Sequence, residues 1–378
     1  MAEEMRILFS NNSAWSVYNF RRKMLAEIRE SMGCEIHVLC PWDEVYSNLL
    51  KEEGFVVHRL DFHNNDASFS NQIRLFLKYR TIYKQIAPDV ILHNAILPNI
   101  YGSLAARLNG IPVINNVSGL GSAFIKGGLT WKLIKILYKL SQRKADHIFF
   151  QNEDDQAYFV QHILGRRTNY SLLPGSGVDI DRFHPKHRTF GTNDSTELCF
   201  VGRVIKDKGV VEYVDAIKIL RSEGVDAKFH ILGGLDEMQI TGISRATVSQ
   251  WQSDGLIIYH AQTDSPELEL GKYDAIVLPS YREGMSRVLL EASSSGVPII
   301  TTNVPGCRQA VIADESGFLC EPKDVNSLQQ AILKLLGKSK GERLQMGDRG
   351  RKLAEDTFDE KWVVGSYLDQ IKKLTQSN

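Results

Sequence analysis

The stretch PSYREGMSRVLLEASSSG, residues 279–296, follows a short apolar run, YDAIVL at 273–278, bounded by Pro and Ser. Such a run reads as a central strand of a parallel sheet. Residues 280–286 then read as a loop with Gly284 at its turn, and residues 288–294 as the first turns of a helix. The loop carries Glu283 and the helix carries Glu291. In an open α/β sheet, ligands bind beyond the carboxyl ends of the strands, where a helix start offers N–H donors to an anion. Glu283 therefore falls in the crevice, and Glu291 about two turns further on. Two glutamates at this spacing are common on solvated helices. The strand, loop and helix around them make them candidate ligand contacts, with the N–H groups of Gly284, Met285 and Ser286 as candidate anion donors.

A second signal lies earlier, where CFVGR at 199–203 ends a predicted strand and IKDKG at 205–209 leads into a predicted helix at 210–221. Arg203 and Lys208 then stand at the mouth of the same sheet. A lone Arg and Lys in a loop usually means two exposed surface cations. Here they share a sheet end with Glu283, and Arg with Lys suits a diphosphate: one gives bidentate contacts, the other a point charge. Neither GxxxxGK[ST] nor GxGxxG is present at this loop.

Together, GRVIKDKG, the strand end LGG at 232–234, PSYREGMSRVLLEA, SGVPIITTNVPG and the link PGSGVDIDRFHP at 174–185 resemble family 4 of the retaining glycosyltransferases along nearly the whole chain. The resemblance implies an α/β architecture of two Rossmann-like, doubly wound domains facing a central cleft, the arrangement called GT-B. It implies that Arg203 and Lys208 hold the donor diphosphate, that Glu283 lies by the donor sugar, and that Glu291 meets the ribose hydroxyls. Gly233 and the backbone of Gly284, Met285 and Ser286 complete the donor set implied for this half. The domains implied are 1–180 for the acceptor and 186–358 for the nucleotide sugar, with a last helix at about 359–378 crossing back onto the first.

Composition agrees with that reading. The 378 residues are 43% hydrophobic and 24% charged, ordinary for a globular chain of two domains. Basic and acidic residues balance at 45 each, so no global field points to nucleic acid, and none is expected as a partner. Cysteines at 34, 40, 199, 307 and 320 are scattered and form no CxxC, which argues for a reducing compartment without a disulfide frame or zinc site. The start MAEEMRILFS is acidic and then strand-like, unlike a secretory signal, and no run of about eighteen apolar residues is present. The expected location is cytoplasmic, at the inner face of the cell membrane.

Alternating patterns predict strands at 6–9, 35–39, 55–59, 90–93, 112–116 and 147–151, then at 197–201, 228–232, 256–260, 275–278, 298–301 and 317–320. Helices are predicted at 19–31, 70–85, 99–109, 210–221, 288–294, 325–336 and 341–354.

The amino-terminal half departs from many family members. After the first strand it reads SNNSAWSVYNFRRKML, without their Gly-Gly loop, which resembles the subset that builds bacterial surface polysaccharides and lipid-linked glycans. Where those members place a histidine beside the donor sugar, this chain has Ser118 followed by Gly119, and these two join the implied donor set. His93 and Asn94 end a predicted strand and are candidates for acceptor contact; a satisfied structural histidine is the competing reading.

The segment KGGLTWKLIKILYKLSQRK at 126–144 has no acidic residue. Lys132, Lys135, Lys139 and Arg143 line one helical face, and Leu129, Leu133, Ile136, Leu137 and Leu140 another, with Trp131 and Tyr138 suited to an interface. Either the leucines pack on the sheet with the lysines in water, or the basic face meets anionic lipid.

The implied activity is transfer of a sugar from a UDP-sugar, N-acetylgalactosamine ahead of other hexoses, to a polyprenyl-diphosphate-linked glycan. No cofactor and no metal are expected, because Arg203 and Lys208 supply the positive charge and no D-x-D carboxylate cluster accompanies the motifs. A nucleotide-sugar epimerase of the same architecture and a non-catalytic sugar-nucleotide binding module are the alternatives.

Overall fold

The computed structural model describes residues 4–61, 69–120, 128–143, 145–165, 168–189 and 195–376. The chain divides into two compact units, Met1–Ser176 with Lys361–Asn378, and Gly177–Glu360.

The first unit holds a parallel sheet of β1 (Arg6–Ser10), β2 (Glu35–Cys40), β3 (Val56–Arg59), β4 (Val90–Asn94), β5 (Val113–Val117), β6 (His147–Phe150) and β7 (Tyr170–Leu172), in the order β3-β2-β1-β4-β5-β6-β7. Fully buried runs such as ILF in β1 and VIL in β4 explain why these segments are strands: both faces are covered, so both faces are apolar. One face packs against Ala14–Phe20, Arg22–Met32 and the last helix, Glu360–Thr375, through Met24, Leu25, Ile28, Val363, Val364, Tyr367 and Ile371. The other face is covered by Phe69–Ile86, the π-turn Pro98–Gly102, Ser103–Leu108 and Gly128–Gln142, through Leu75, Tyr79, Tyr83, Ile100, Trp131 and Tyr138.

The second unit holds β8 (Thr196–Val201), β9 (Ala227–Leu232), β10 (Ile258–His260), β11 (Ala275–Leu278), β12 (Ile299–Thr302) and β13 (Gly317–Cys320), in the order β10-β9-β8-β11-β12-β13. Every pairing in both sheets is parallel. Strand order runs outward one way from β8 through β9 and the other way through β11, so the switch point lies between β8 and β11. That is where a doubly wound sheet opens a crevice.

The predicted helix at 19–31 is two helices, Ala14–Phe20 and Arg22–Met32, because Ser13 caps the chain earlier by accepting from the Ser16 N–H. The predicted helix at 99–109 begins as the π-turn Pro98–Gly102. The five cysteines are buried and unpaired. Among the described residues, no helix is long and apolar enough to cross a membrane.

Candidate functional site

In the second unit, the loops after β8 and β11 meet at the switch point. The β8 loop makes a single 3-10 turn, Lys206–Lys208, and ends at Gly209 in the left-handed region. A side chain there is impossible without movement: a Cβ on Gly209 would stand 2.1 Å from the Pro279 carbonyl oxygen. This close approach seats Lys208 against the β11 loop, where its Nζ pairs with Glu283 Oε1. Both side chains are mostly buried, 20% and 14% exposed. Ser280 Oγ lies 2.8 Å from the same carboxylate oxygen and 3.2 Å from the Asp207 carbonyl, and the Tyr281 N–H donates to that carbonyl at 3.0 Å. The β8 and β11 loops are thus stitched together by backbone as well as by charge.

Sequence reasoning brought Lys208 and Glu283 to one sheet end, and the structure joins them directly. It missed Ser280, whose position two residues after β11 and three before Glu283 was the available signal. Arg203 stands apart from the pair. It is half-exposed and its Nη1 sits 3.3 Å from Asp236 Oδ2, a surface pairing of small energetic weight. Gly233, ending β9, approaches the β8 loop so closely that a Cβ would lie 1.9 Å from the Gly202 oxygen, and its own carbonyl accepts from the Tyr259 hydroxyl at 2.9 Å.

Glu291 is on the helix Arg287–Ser294 with its side chain buried, and Arg287 Nε reaches Glu291 Oε1 at 2.8 Å, one turn back. Burial raises its pKa and the Arg287 charge opposes the rise. The expectation that the Gly284, Met285 and Ser286 N–H groups point at an anion is corrected at Ser286: its N–H donates to the Gly306 carbonyl at 2.8 Å, because the loop after β12 folds against the helix start. Glu283 N–H is likewise engaged, by Pro305 O at 3.2 Å, and Met285 packs against the core.

In the first unit, Ser118 is exposed and Gly119 follows it, just after β5. His93 does not present itself to an acceptor. It is 1% exposed, its Nε2 lies 2.7 Å from the Tyr83 hydroxyl and its Nδ1 2.8 Å from Asn115 Oδ1. Its place on a strand buried on both faces is the reason. Asn94, the next residue, is also buried. Burial lowers the His93 pKa from 6.5 to about 4, with the Asn115 bond opposing. The neutral ring is therefore favoured by folding, so its contribution is complete above pH 6.5 and is lost as pH falls towards 4. We expect the thermal midpoint to drop from pH 7 to pH 5, each such histidine costing about 1.4 kcal/mol per pH unit inside that window. A His93→Gln variant should show a shallower fall in differential scanning calorimetry; equal slopes would contradict this.

The helix Gly128–Gln142 corrects a further expectation. Trp131 is buried and donates to the Tyr158 hydroxyl at 3.1 Å, and Tyr138 is buried, so neither lies at an interface. Leu133, Ile136 and Leu140 are instead exposed, at 58%, 56% and 54%. The Leu129 side chain falls outside the described residues. Lys132, Lys139 and Arg143 are exposed, and the Lys135 ammonium lies 5.6 Å from the Tyr158 ring centre.

Two doubly wound parallel sheets, one in each unit, give the chain the fold of the GT-B class. Sucrose-phosphate synthase from Thermosynechococcus elongatus superposes with a TM-score of 0.82 at 17% identity, covering 99% of this chain and 100% of that one. The Anabaena protein HepE in complex with UDP-glucose does so with a TM-score of 0.77 at 18% identity, again over 99% and 100%. The chain belongs to the glycosyltransferases: residues 183–353 match the family model "Glycosyl transferases group 1" and residues 6–152 match "Glycosyl transferase 4-like". A relative, the N,N'-diacetylbacillosaminyl-diphospho-undecaprenol alpha-1,3-N-acetylgalactosaminyltransferase of Campylobacter jejuni, is 28% identical across 99% of this chain and 100% of its own length.

Proposed function

We propose that this glycosyltransferase moves a hexose, N-acetylgalactosamine first among them, from a UDP-sugar to a glycan carried on polyprenyl diphosphate, with retention of anomeric configuration. The observation that carries the reading is the Lys208–Glu283 pair at the switch point of the second sheet, backed by Ser280. The full-length similarity to an enzyme named for N-acetylgalactosaminyl transfer to a diphospho-undecaprenol sugar supports the donor and acceptor classes. The likeness of fold to a protein solved with UDP-glucose supports a uridine nucleotide.

In this reading the bond between the anomeric carbon and the diphosphate oxygen breaks, and a bond to the acceptor hydroxyl oxygen forms on the same face. The acceptor proton passes to the departing phosphate oxygen. Negative charge grows on that phosphate, and Lys208 and Arg203 are the cations assigned to meet it, as electrostatic preorganisation requires. Glu283 orients the donor sugar by its hydroxyls while Ser280 and Lys208 hold its carboxylate in one position. Glu291 meets the ribose with Arg287 keeping it in place.

Incubation of the purified chain with a panel of UDP-sugars and a polyprenyl-diphosphate glycan tests this directly. The expected product keeps the donor's anomeric configuration by NMR, and turnover persists in EDTA because Arg203 and Lys208 already supply the positive charge. An inverted product would overturn retention, loss of turnover restored by Mg²⁺ would overturn the cationic side-chain assignment, and epimerised donor would point to the epimerase reading.

A further inference from the structure

The helical layer formed by Phe69–Ile86, Pro98–Gly102, Ser103–Leu108 and Gly128–Gln142 contains no Asp or Glu, in a chain where 45 of 378 residues are acidic. The helices on the opposite face of the same sheet carry Glu27, Glu30, Glu52, Glu360 and Asp369. The asymmetry therefore belongs to these neighbouring helices, on a face whose remaining helix, Glu153–His162, is acidic at its start. Ser103–Leu108 lies between Phe69–Ile86 and Gly128–Gln142 and touches both, so the three form a continuous surface.

On that surface, apolar and basic side chains are interleaved. Along Gly128–Gln142 the exposed Leu133, Ile136 and Leu140 recur at steps of three and four, on the side of the helix away from buried Trp131 and Tyr138. Lys132, Lys135 and Lys139 each precede one of them and so form a stripe alongside. Phe69–Ile86 repeats the arrangement with exposed Ile73 and Leu77, each followed by a cation, Arg74 and Lys78. Among the described residues, Arg74, Lys132 and Lys139 have no acidic partner. Single exposed apolar side chains are ordinary, but Leu133, Ile136 and Leu140 form a stripe that Ile73 and Leu77 repeat on a neighbouring helix, and a purely electrostatic partner would not need it. Apolar side chains that sink among acyl chains, beside lysines that reach headgroup phosphates, are the two requirements of an interfacial helix.

We infer that this acid-free surface docks on an anionic lipid bilayer, with Leu133, Ile136 and Leu140 inserted and the lysines at the phosphates. The inference rests on the proposed lipid-linked acceptor for its purpose, and on the face itself for its physics. The helix Glu153–His162, next in the layer and packed on Trp131 and Tyr138, sets the limit of the surface with Glu153, Asp154 and Asp155 in its first turn.

The test is sedimentation of the full chain with vesicles of phosphatidylglycerol and phosphatidylcholine, against phosphatidylcholine alone, over a range of salt. The wild type should prefer the anionic vesicles and release from them as salt rises. Replacing Lys132, Lys135 and Lys139 together by Gln should weaken binding at low salt about a hundredfold. Replacing Leu133, Ile136 and Leu140 together by Ser should weaken it about tenfold or more at every salt concentration. Turnover with a water-soluble acceptor analogue should be unchanged in both variants, which shows that the fold is intact. No preference for anionic vesicles, or wild-type sedimentation by both variants, would overturn the inference. So would a wild-type dimer in vesicle-free solution that the serine variant dissolves, since a second copy would then cover the face. Vesicle binding without turnover on any acceptor would leave the surface standing and remove the transferase reading.

Discussion

Lys208→Ala should lower kcat by at least about 10²-fold, the effect of removing one preorganised contact to developing charge, about 3 kcal/mol of barrier. Two consequences are combined in that variant. The departing phosphate loses its buried cation, and Glu283, only 14% exposed, is left beside Ser280 without a counter-charge. They separate experimentally: Lys208→Ala with Glu283→Gln should regain thermal stability and none of the turnover. Arg203→Ala should also lose about 10²-fold in kcat, but with little change in thermal midpoint, because Arg203 is half-exposed and its Asp236 pairing adds little to the fold. Near wild-type kcat in both single variants would remove the diphosphate assignment.

The strands were legible because each sheet is parallel and covered on both faces, which turns strands into short apolar runs that punctuation residues delimit. Gly317–Cys320 and Ala275–Leu278 match their predicted bounds for that reason. The edge strand Tyr170–Leu172 has two of its three residues exposed, so it lacks the run and escaped notice. Glu153–His162 was overlooked although its start was visible: Asn152 caps the Asp155 N–H, and three acids fill the first turn. Periodicity in Gly128–Gln142 separated its stripes by angle but could not say which one faces the sheet. Aromatic bulk decided that: Trp131 and Tyr138 are buried with Leu137 packed beside them, while Leu133, Ile136 and Leu140 face outward. At the site, the motif placed Lys208 and Glu283 at one sheet end. The partners that engage these groups, Asp236 for the Arg203 guanidinium and the Gly306 carbonyl for the Ser286 N–H, come from loops after other strands and carry no local signal.

Gly209→Ala should cost more than its single methyl suggests. A left-handed residue other than glycine costs about 1–2 kcal/mol, and the same penalty applies at Gly224, where φ is +78° and a Cβ meets nothing within 4 Å. At Gly209 the new carbon would also stand 2.1 Å from the Pro279 oxygen and 2.7 Å from its carbon, which are backbone atoms that no rotamer change can move away. The β8 loop must then lift from the β11 loop, and the Asp207 carbonyl that accepts from the Tyr281 N–H moves with it. Lys208 and Glu283 sit on opposite sides of that seam. Separation of about 1 Å between groups that act together is enough to lower turnover about 10²-fold. The expected result is therefore a loss of kcat in Gly209→Ala beyond its loss of thermal midpoint, while Gly224→Ala shows the smaller midpoint loss alone. Equal turnover in the two variants, measured well below both midpoints, would mean that the contact between the loops does not set the geometry of the site.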